Sequence, residues 1–339
     1  MADHFGLDIG SNSIKIIQFQ KDKNLFRLVA AGLIKTPAVD LSFENQKDIV
    51  LIAEAIKKLK DESKVTTKNI VTAVPERSVF SRIIEVPKMS DSELSSAIPW
   101  EAENVVPMPI SEVNLDWEII PDEESDNNNK FKVLLVAVPS VLVNRYLKII
   151  KMSDLMPVTI EAESLSVIRC LRPLFNQGNM VILNMGARSL DIILVSHGNF
   201  FLTRQLPSAG EGITRAVSNS LGMDIATAEE YKKTYGLTNQ FEGKIFNVIE
   251  PILAVAANEI NKMIRFYEEK VPEPMKVVVL GGGTALLPGI NEYFAKTLNL
   301  EVQTADPLAL LVGNVPNLQA LKKNSPLFTV ACGLAIKGK

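Results

Sequence analysis

The apolar positions near the start of the chain fall in two short runs, Phe5 to Ile9 and Ile14 to Phe19, parted by Gly10-Ser11-Asn12-Ser13. That pattern predicts two strands joined by a tight polar turn. A third strand is predicted over 26–34. From about Asp48 to Lys60 the apolar residues Ile49, Ile52, Ala53, Ile56 and Leu59 recur at helical spacing, which predicts an amphipathic helix with one core face. A further strand over 69–74 is stopped by Pro75. Hairpin, strand, helix, strand is an α/β order.

Between 77 and 157 the pattern changes, which predicts an inserted subdomain. A strand over 78–86 precedes Ser90-Asp91-Ser92-Glu93, where Ser90 as N-cap and Glu93 three residues on form a capping box. Pro99 removes a helical hydrogen bond, so a kink or break is expected near Ile98. Strands over 113–121 and 131–138 flank an acidic, Asn-rich loop over 122–129 with no apolar residue to bury, expected to be mobile. Ser140 is expected to cap a helix whose inner face carries Val143, Leu147 and Ile150.

After 157 the first pattern resumes and passes into a helix ending near Arg172-Pro173. The stretch 179–195 then repeats the opening design, with Asn184-Met185-Gly186 standing where Asp8-Ile9-Gly10 stood. Half a chain apart, these two strand-turn-strand units predict an internal duplication. Helices are expected after Gly210-Glu211-Gly212, over 226–233 and over 248–267. A buried strand over 276–280 runs straight into Gly281-Gly282-Gly283-Thr284, and a strand over 300–303 with a helix over 327–336 closes the chain.

The turns suggest chemistry. Gly10 lets backbone approach an anion, Ser11 and Ser13 offer hydroxyl donors, and Lys15 supplies a positive point charge. Asp8 cannot hold phosphate itself, so its natural task is a hydrated Mg2+. The plain alternative is an ordinary hairpin turn, and the echo at Asn184 tips the balance toward a phosphate holder. Three consecutive glycines between a strand and a helix likewise let backbone lie against a ligand.

Composition narrows the classes. The 339 residues, 47% apolar and 22% charged, suit a soluble protein with two or more cores. A net charge of -3 from 36 basic and 39 acidic residues gives no nucleic-acid footprint. Cys170 and Cys332 sit in apolar surroundings, which favours reduced thiols and a cytoplasmic location. His4 and His197 have no companions at metal-ligand spacing. No signal-peptide pattern opens the sequence, and the longest uncharged stretches fall short of the ~20 residues that span a bilayer, so membrane attachment is expected only through a partner.

Two strand-turn-strand loops, a late Gly-Gly-Gly-Thr loop and the Glu229-x-x-Lys232 pair between them, in that order, together resemble the actin-like ATPase superfamily. Within it, Gly6-Leu7-Asp8-Ile9-Gly10-Ser11, Val86-Pro87-Lys88-Met89-Ser90, Val106-Pro107-Met108-Pro109, Ile213-Thr214 and Ala228-Glu229 are similar to the PilM family of type IV pilus assembly proteins. The early insertion also resembles that of FtsA. The resemblance implies an α/β actin-like ATPase fold of two domains with an inserted FtsA-type subdomain. Its divisions would be 1–77, 158–178 and 328–339 (subdomain 1A), 78–157 (1C), 179–212 with 274–327 (2A), and 213–273 (2B).

It further implies ATP and Mg2+ as cofactors. Asp8, Gly10, Ser11, Asn12, Ser13 and Lys15 would form the first phosphate loop, with Asp8 holding the metal through water, and Asn184, Gly186, Ala187, Arg188 and Ser189 the second. Gly210, Glu229, Lys232, Gly281, Gly282, Gly283 and Thr284 would cradle the rest of the nucleotide; alone, Glu229 and Lys232 read as a surface ion pair. Glu161 and Glu163 stand where the superfamily carries its water-activating carboxylate, or else merely join two domains. Two departures matter. Asn184 replaces the usual aspartate, so hydrolysis is expected to be slow or absent, and Glu211 brings a negative charge close to the ligand. The implied function is a cytoplasmic ATP-binding scaffold that binds the N-terminal tail of PilN and works with other pilus platform and motor proteins, without nucleic acid and without inserting in the membrane. The peptide is expected in a groove near Met89 to Pro109, residues that core packing would equally explain. The rival readings are an FtsA-like filament-forming ATPase and a small-molecule kinase.

Overall fold

The computed structural model describes residues 3–23, 25–39, 42–121, 129–175, 178–207, 209–309, 311–312 and 318–339. The chain opens with strands β1 (Phe5–Ile9), β2 (Ser13–Asp22) and β3 (Leu25–Lys35), helix α1 (Gln46–Ser63) and strand β4 (Asn69–Val74). The insertion contributes β5 (Phe80–Pro87), α2 (Asp91–Glu103), β6 (Val113–Ile120), β7 (Lys130–Pro139) and α3 (Ser140–Met152). Strand β8 (Met156–Ala162) and helix α4 (Glu163–Leu171) complete the first half. The second half holds β9 (Met180–Met185), β10 (Leu190–Ser196), β11 (Asn199–Leu206), α5 (Gly210–Leu221), α6 (Ile225–Tyr235) and α7 (Lys244–Glu268). It ends with β12 (Val277–Gly281), α8 (Ile290–Leu298), β13 (Glu301–Thr304), β14 (Leu311–Val312), α9 (Leu318–Lys323) and α10 (Thr329–Ala335).

The internal duplication is explicit in the sheets. One runs β14-β3-β2-β1-β4-β8 and the other β11-β10-β9-β12-β13. In each, a three-strand antiparallel meander is extended beside its first strand by two parallel strands. The insertion folds as its own antiparallel sheet, β5-β7-β6.

Burial follows the patterns read from sequence. Ile49, Ile52, Ile56 and Leu59 of α1 pack under the first sheet against Phe5, Leu7, Ile14 and Ile16. Asn45 caps this helix by accepting the Lys47 N–H at 2.9 Å. The capping box at Ser90 and Glu93 is formed. Cys170 and Cys332 are buried free thiols, and burial pushes the Cys332 thiol well up.

Three local expectations need correction. Helix α2 runs unbroken through Pro99. Pro99 and Ser95 lie on its exposed side, so the carbonyl freed by proline faces water, while Leu94, Ile98 and Ala102 hold the inner face to the sheet. Ser140 is the first helical residue of α3 rather than its cap, and Pro139 occupies the cap position with no side-chain acceptor. The inner face of α3 is Leu142, Tyr146, Ile149 and Ile150, with Leu147 exposed, because the helix packs beside α1, where Tyr146 meets Phe43 edge-on at 5.5 Å. Of the acidic loop expected to be mobile, 122–128 lie outside the described residues.

Helix α10 is wedged between the first sheet and α4. A Cβ at Gly6 would stand 2.1 Å from the Ala331 carbonyl oxygen, so only glycine admits this helix to β1. Beyond it, Lys339 Nζ donates to the carbonyls of His4 and Phe19, at 3.1 and 2.6 Å.

Candidate functional site

The two hairpins β1–β2 and β9–β10 turn in the same way, and an acid from each, Asp8 and Asp191, acts on Glu163. Gly10 N–H donates to Ser13 O at 3.2 Å, and Gly186 N–H donates to Ser189 O at 2.9 Å. Across the first ladder Asp8 pairs with Lys15, and across the second Asn184 pairs with Asp191. The alternation of a strand would leave these polar side chains in an apolar interior, so each must find its partner there.

In the first hairpin Lys15 Nζ lies 2.8 Å from Asp8 Oδ2 and 3.3 Å from Ser13 O, and all three residues are buried. Thr36 braces the turn from β3's far end. Its N–H donates to Asn12 O at 3.0 Å and its hydroxyl to Gly10 O at 2.7 Å. Ser11 and Asn12 stand at the open tip.

The second turn is held by the start of α5 and by Thr284, and α5 in turn by Lys232 and Glu229. Gly210 and Glu211, the first residues of α5, donate their N–H groups to Gly186 O at 3.2 Å and Ala187 O at 2.7 Å. Thr284 Oγ1 donates to Gly186 O at 3.0 Å, and Lys232 Nζ donates to Gly210 O at 3.0 Å and to Thr214 Oγ1 at 2.8 Å. Glu229 completes the network, 2.5 Å from both Lys232 Nζ and Thr214 Oγ1. Burial works against the charges here. It lowers the Lys232 ammonium below its ordinary value, whereas at Glu229 the hydrogen bonds from Lys232 and Thr214 outweigh burial and hold the carboxyl down. The charge of Glu211 is met by Arg188, whose Nε lies 3.3 Å away. Gly281 pairs in register with Asn184, and Gly282 takes φ +79°, with its missing Cβ only 2.4 Å from Met185 O. The glycine run therefore lies directly on the second hairpin. Gly283 opens the short 3-10 turn that carries Thr284.

Two acids missed by sequence reasoning are buried near one another beside the second hairpin. Asp191 accepts from Gln205 at 2.7 Å and from Asn184 at 3.3 Å, and burial still raises it to about 6. Glu76, in the turn after β4, is raised to about 7 by burial and by the charge of Asp191. The signal for Asp191 was available, since it follows Asn184 by seven residues just as Lys15 follows Asp8 by seven.

The two acids put forward as water-activating part company. Glu161 Oε1 and Oε2 accept from Arg169 at 2.6 and 2.7 Å, and Lys337 also bonds its Oε2. Glu163 instead lies among the acids of both halves, where burial and then the charges of Asp191, Asp8 and Glu76 raise its carboxyl well above the ordinary range. It is the group on which both hairpins converge.

The peptide is expected between the insertion and the first domain, near Met89 to Pro109. Met89, Val105 and Met108 pack against the core of the inserted sheet. A concavity of about 410 Å³ lies where the insertion meets the first sheet, lined by Pro75, Arg77, Ser78, Pro139, Val141 and Arg145 among others. Among the described residues no helix is long and apolar enough to cross a membrane, and no group of three His, Cys, Asp or Glu side chains could hold a metal ion.

The model of the family "Type IV pilus assembly protein PilM" matches residues 6–339. The chain belongs to the PilM family. Among solved structures, a chain of the PilM–PilN type IV pilus biogenesis complex is similar over 99% of this chain and 98% of its own length, with 26% identity and a TM-score of 0.87. The ethanolamine utilization protein EutJ from Carboxydothermus hydrogenoformans aligns over 100% and 90% of the two chains with 16% identity and a TM-score of 0.62. MreB5 of Spiroplasma citri bound to AMPPNP aligns over 99% and 96% with 15% identity and a TM-score of 0.53. The last two likenesses are of fold alone, and the fold is actin-like. The cell division protein FtsA of Neisseria meningitidis serogroup B is 25% identical over 175 residues, 45% of this chain and 41% of FtsA. The chain thus spans well under half the length of that relative.

Proposed function

We propose that this chain is an ATP-binding scaffold of the type IV pilus inner-membrane assembly platform, working at the cytoplasmic face of the membrane with PilN and, through it, other platform and motor proteins. The observation that carries the nucleotide half is the pair of hairpins converging on Glu163, one carrying the buried Lys15–Asp8 pair and the other locked to Lys232, Glu229 and Thr284.

The residues fit ATP with Mg2+. Gly10 keeps its turn open, for a Cβ there would stand 2.9 Å from Ser13 O and 3.2 Å from Lys15 Nζ, closing on the group that meets phosphate. Ser11, Asn12 and Ser13 would supply donors beside it, and Ala187, Arg188 and Ser189 would supply others from the second turn. Gly210, Lys232, Glu229 and the 281–284 run suit the nucleoside. Asp8 and Asp191 outnumber the single ammonium of Lys15, and a divalent cation, held by Asp8 through water, would neutralise that excess. The bound metal would supply electrostatic stabilisation of the phosphates.

The chain's own residues favour holding ATP over turning it over. A general base must be ionised, and burial with the neighbouring acids raises Glu163 well above the ordinary carboxylate range, which disfavours that form. Glu161 is taken up by two cations and is no base. Asn184 offers no carboxylate at the second turn, where its amide is spent on Asp191. We assign any residual hydrolysis to Glu163.

For the PilN tail we propose the groove beside the insertion. Pro139 and Val141 offer apolar contact and Arg77 with Arg145 offers positive charge, which suits an extended segment mixing apolar and acidic residues. Calorimetric titration with ATP–Mg2+ and with a synthetic peptide of the PilN N-terminal tail tests both halves. Binding of each is expected. No heat from the peptide, with or without nucleotide, overturns the scaffold reading.

A further inference from the structure

Trp100 stands 73% exposed on the outer side of α2, although tryptophan is among the side chains a fold covers most on average. The helix does not need it for its own packing, because Leu94, Ile98 and Ala102 hold the inner face to the inserted sheet. The other tryptophan, Trp117 on β6, packs against that same core.

The charges around Trp100 are one-sided. Residues 78–121 hold eight acidic and two basic side chains, a net −6 within a chain whose total is −3. Glu101 and Glu103 are exposed in the last turn of α2 beside Trp100, and that turn has no basic residue. The C-terminal end of a helix carries partial negative charge and is stabilised by cations, so two glutamates there work against the helix. Glu112 adds a third from the turn 110–112, which packs beside α2. Among the described residues no lysine or arginine forms an ion pair with these three acids.

Hydrogen-bonding capacity is one-sided too. The donors near Trp100 are spent within the helix: the Ser95 and Ser96 hydroxyls on the carbonyls of Asp91 and Ser92 at 2.7 and 3.0 Å, and the Asn104 amide on the Trp100 carbonyl at 3.3 Å. Acceptors are left open. Pro99 brings no N–H to the Ser95 carbonyl, and Glu103, three residues after Trp100, shares its face. The face thus offers an aromatic plane ringed by carboxylates and a backbone carbonyl. Arginine is the complement of such a face, since its guanidinium is flat, stacks on indole, is always charged and only donates.

We propose that the Trp100 face of α2 docks an arginine-bearing segment of a partner protein, with a guanidinium stacked on the indole and paired with Glu103, and with Glu101 and Glu112 drawing further cations of the same segment. The groove at Pro139 and Val141 has the opposite character, for Arg77 and Arg145 line it, so a segment suited to one does not suit the other. An anionic membrane surface would be repelled by the same glutamates.

Trp100 is its own reporter. In Trp117→Phe its emission is followed while a short peptide alternating arginine with glycine is added at low salt. Calorimetric titration of the unmodified chain serves if that variant does not fold. The peptide is expected to bind and to change the emission, and its lysine counterpart to bind about fivefold more weakly or worse. Trp100→Ala is expected to weaken binding about tenfold or more. Glu101→Gln combined with Glu103→Gln should weaken it similarly while raising the melting temperature, a pairing that a purely structural role for the glutamates would not give. Absence of binding, equal binding of the lysine peptide, or binding undiminished in Trp100→Ala overturns the proposal. So does a shift of Trp100 emission on phosphatidylglycerol vesicles, which makes the occupant a membrane, or self-association in sedimentation that Trp100→Ala abolishes, which makes it a second copy.

Discussion

Lys15 and Asp8 face each other across the first hairpin at 2.8 Å, each more than 90% removed from solvent. Removing one member leaves a buried charge without its counter-charge, which costs more than the pair contributes. Lys15→Met is therefore expected to lose about 3–5 kcal/mol of stability and to abolish protection by ATP–Mg2+. Thermal unfolding with and without nucleotide measures both. A Lys15→Met protein as stable as the parent would show that the Asp8 side of the pair is not truly isolated.

Glu161→Gln and Glu163→Gln should behave oppositely. The first takes the charge from between Arg169 and Lys337 and is expected to cost about 2 kcal/mol, with nucleotide binding kept. The second removes a carboxyl crowded by Asp191, Asp8 and Glu76, so stability should hold or rise while any slow phosphate release disappears. Denaturant melts and a long phosphate-release assay on the two proteins separate these outcomes.

Gly282→Ala is expected to cost about 3 kcal/mol or more and to lose nucleotide binding, because a Cβ at φ +79° would meet the Met185 backbone at 2.4 Å. Gly222→Ala provides the contrast. It shares a positive φ, +63°, but nothing lies within 4 Å, so a loss of about 1 kcal/mol is expected with binding unchanged. Comparable losses in the two would mean that backbone strain, and not contact with the second hairpin, explains the glycine.

The pH dependence of stability should carry the mark of Glu76. Its carboxyl is raised from 4.5 to about 7 in the folded chain, so between those values the native state holds a proton that the unfolded state has lost. Stability from this group therefore improves as pH falls from 8 toward 5, the reverse of ordinary acid denaturation, over a span of about 3 kcal/mol. Glu76→Gln should flatten this slope, as read by unfolding midpoints across that range.

Val141 is 59% exposed at the rim of the groove, so Val141→Glu should leave the melting temperature nearly unchanged. It should weaken binding of the PilN peptide by about tenfold or more, since it places a negative charge among Arg77, Arg145 and the apolar contacts. Undiminished peptide binding would place the tail elsewhere on the surface.

Much of this was legible in the order of residues. Apolar runs of period two and 3.6 located the sheets and α1, and the Asp8–Gly10 and Asn184–Gly186 echo foretold two sheets of one strand order. What stayed hidden depends on direction in space. Glu161 and Glu163 are two residues apart, yet they straddle the strand end between β8 and α4, and only the fold shows which one lies among the acids of both halves. Glu76 reads in sequence as one more charge in a turn, and its partners Ser164 and Thr203 are remote in the chain. The inner face of α3 was misjudged because its neighbour is α1 and not the inserted sheet that precedes it.

The wedge that α10 drives between β1 and α4 also sets an order of events. Gly6 is shaped for Ala331, and Lys339 fastens the carbonyl of His4, a contact that spans 335 positions. The first strand emerges long before the helix that covers it. Contacts that close so long a loop form slowly, and until they do the apolar face awaiting α10 stays open to water. The first half of the molecule is thus begun early and closed late, and a chain stalled before residue 329 leaves its opening sheet uncovered.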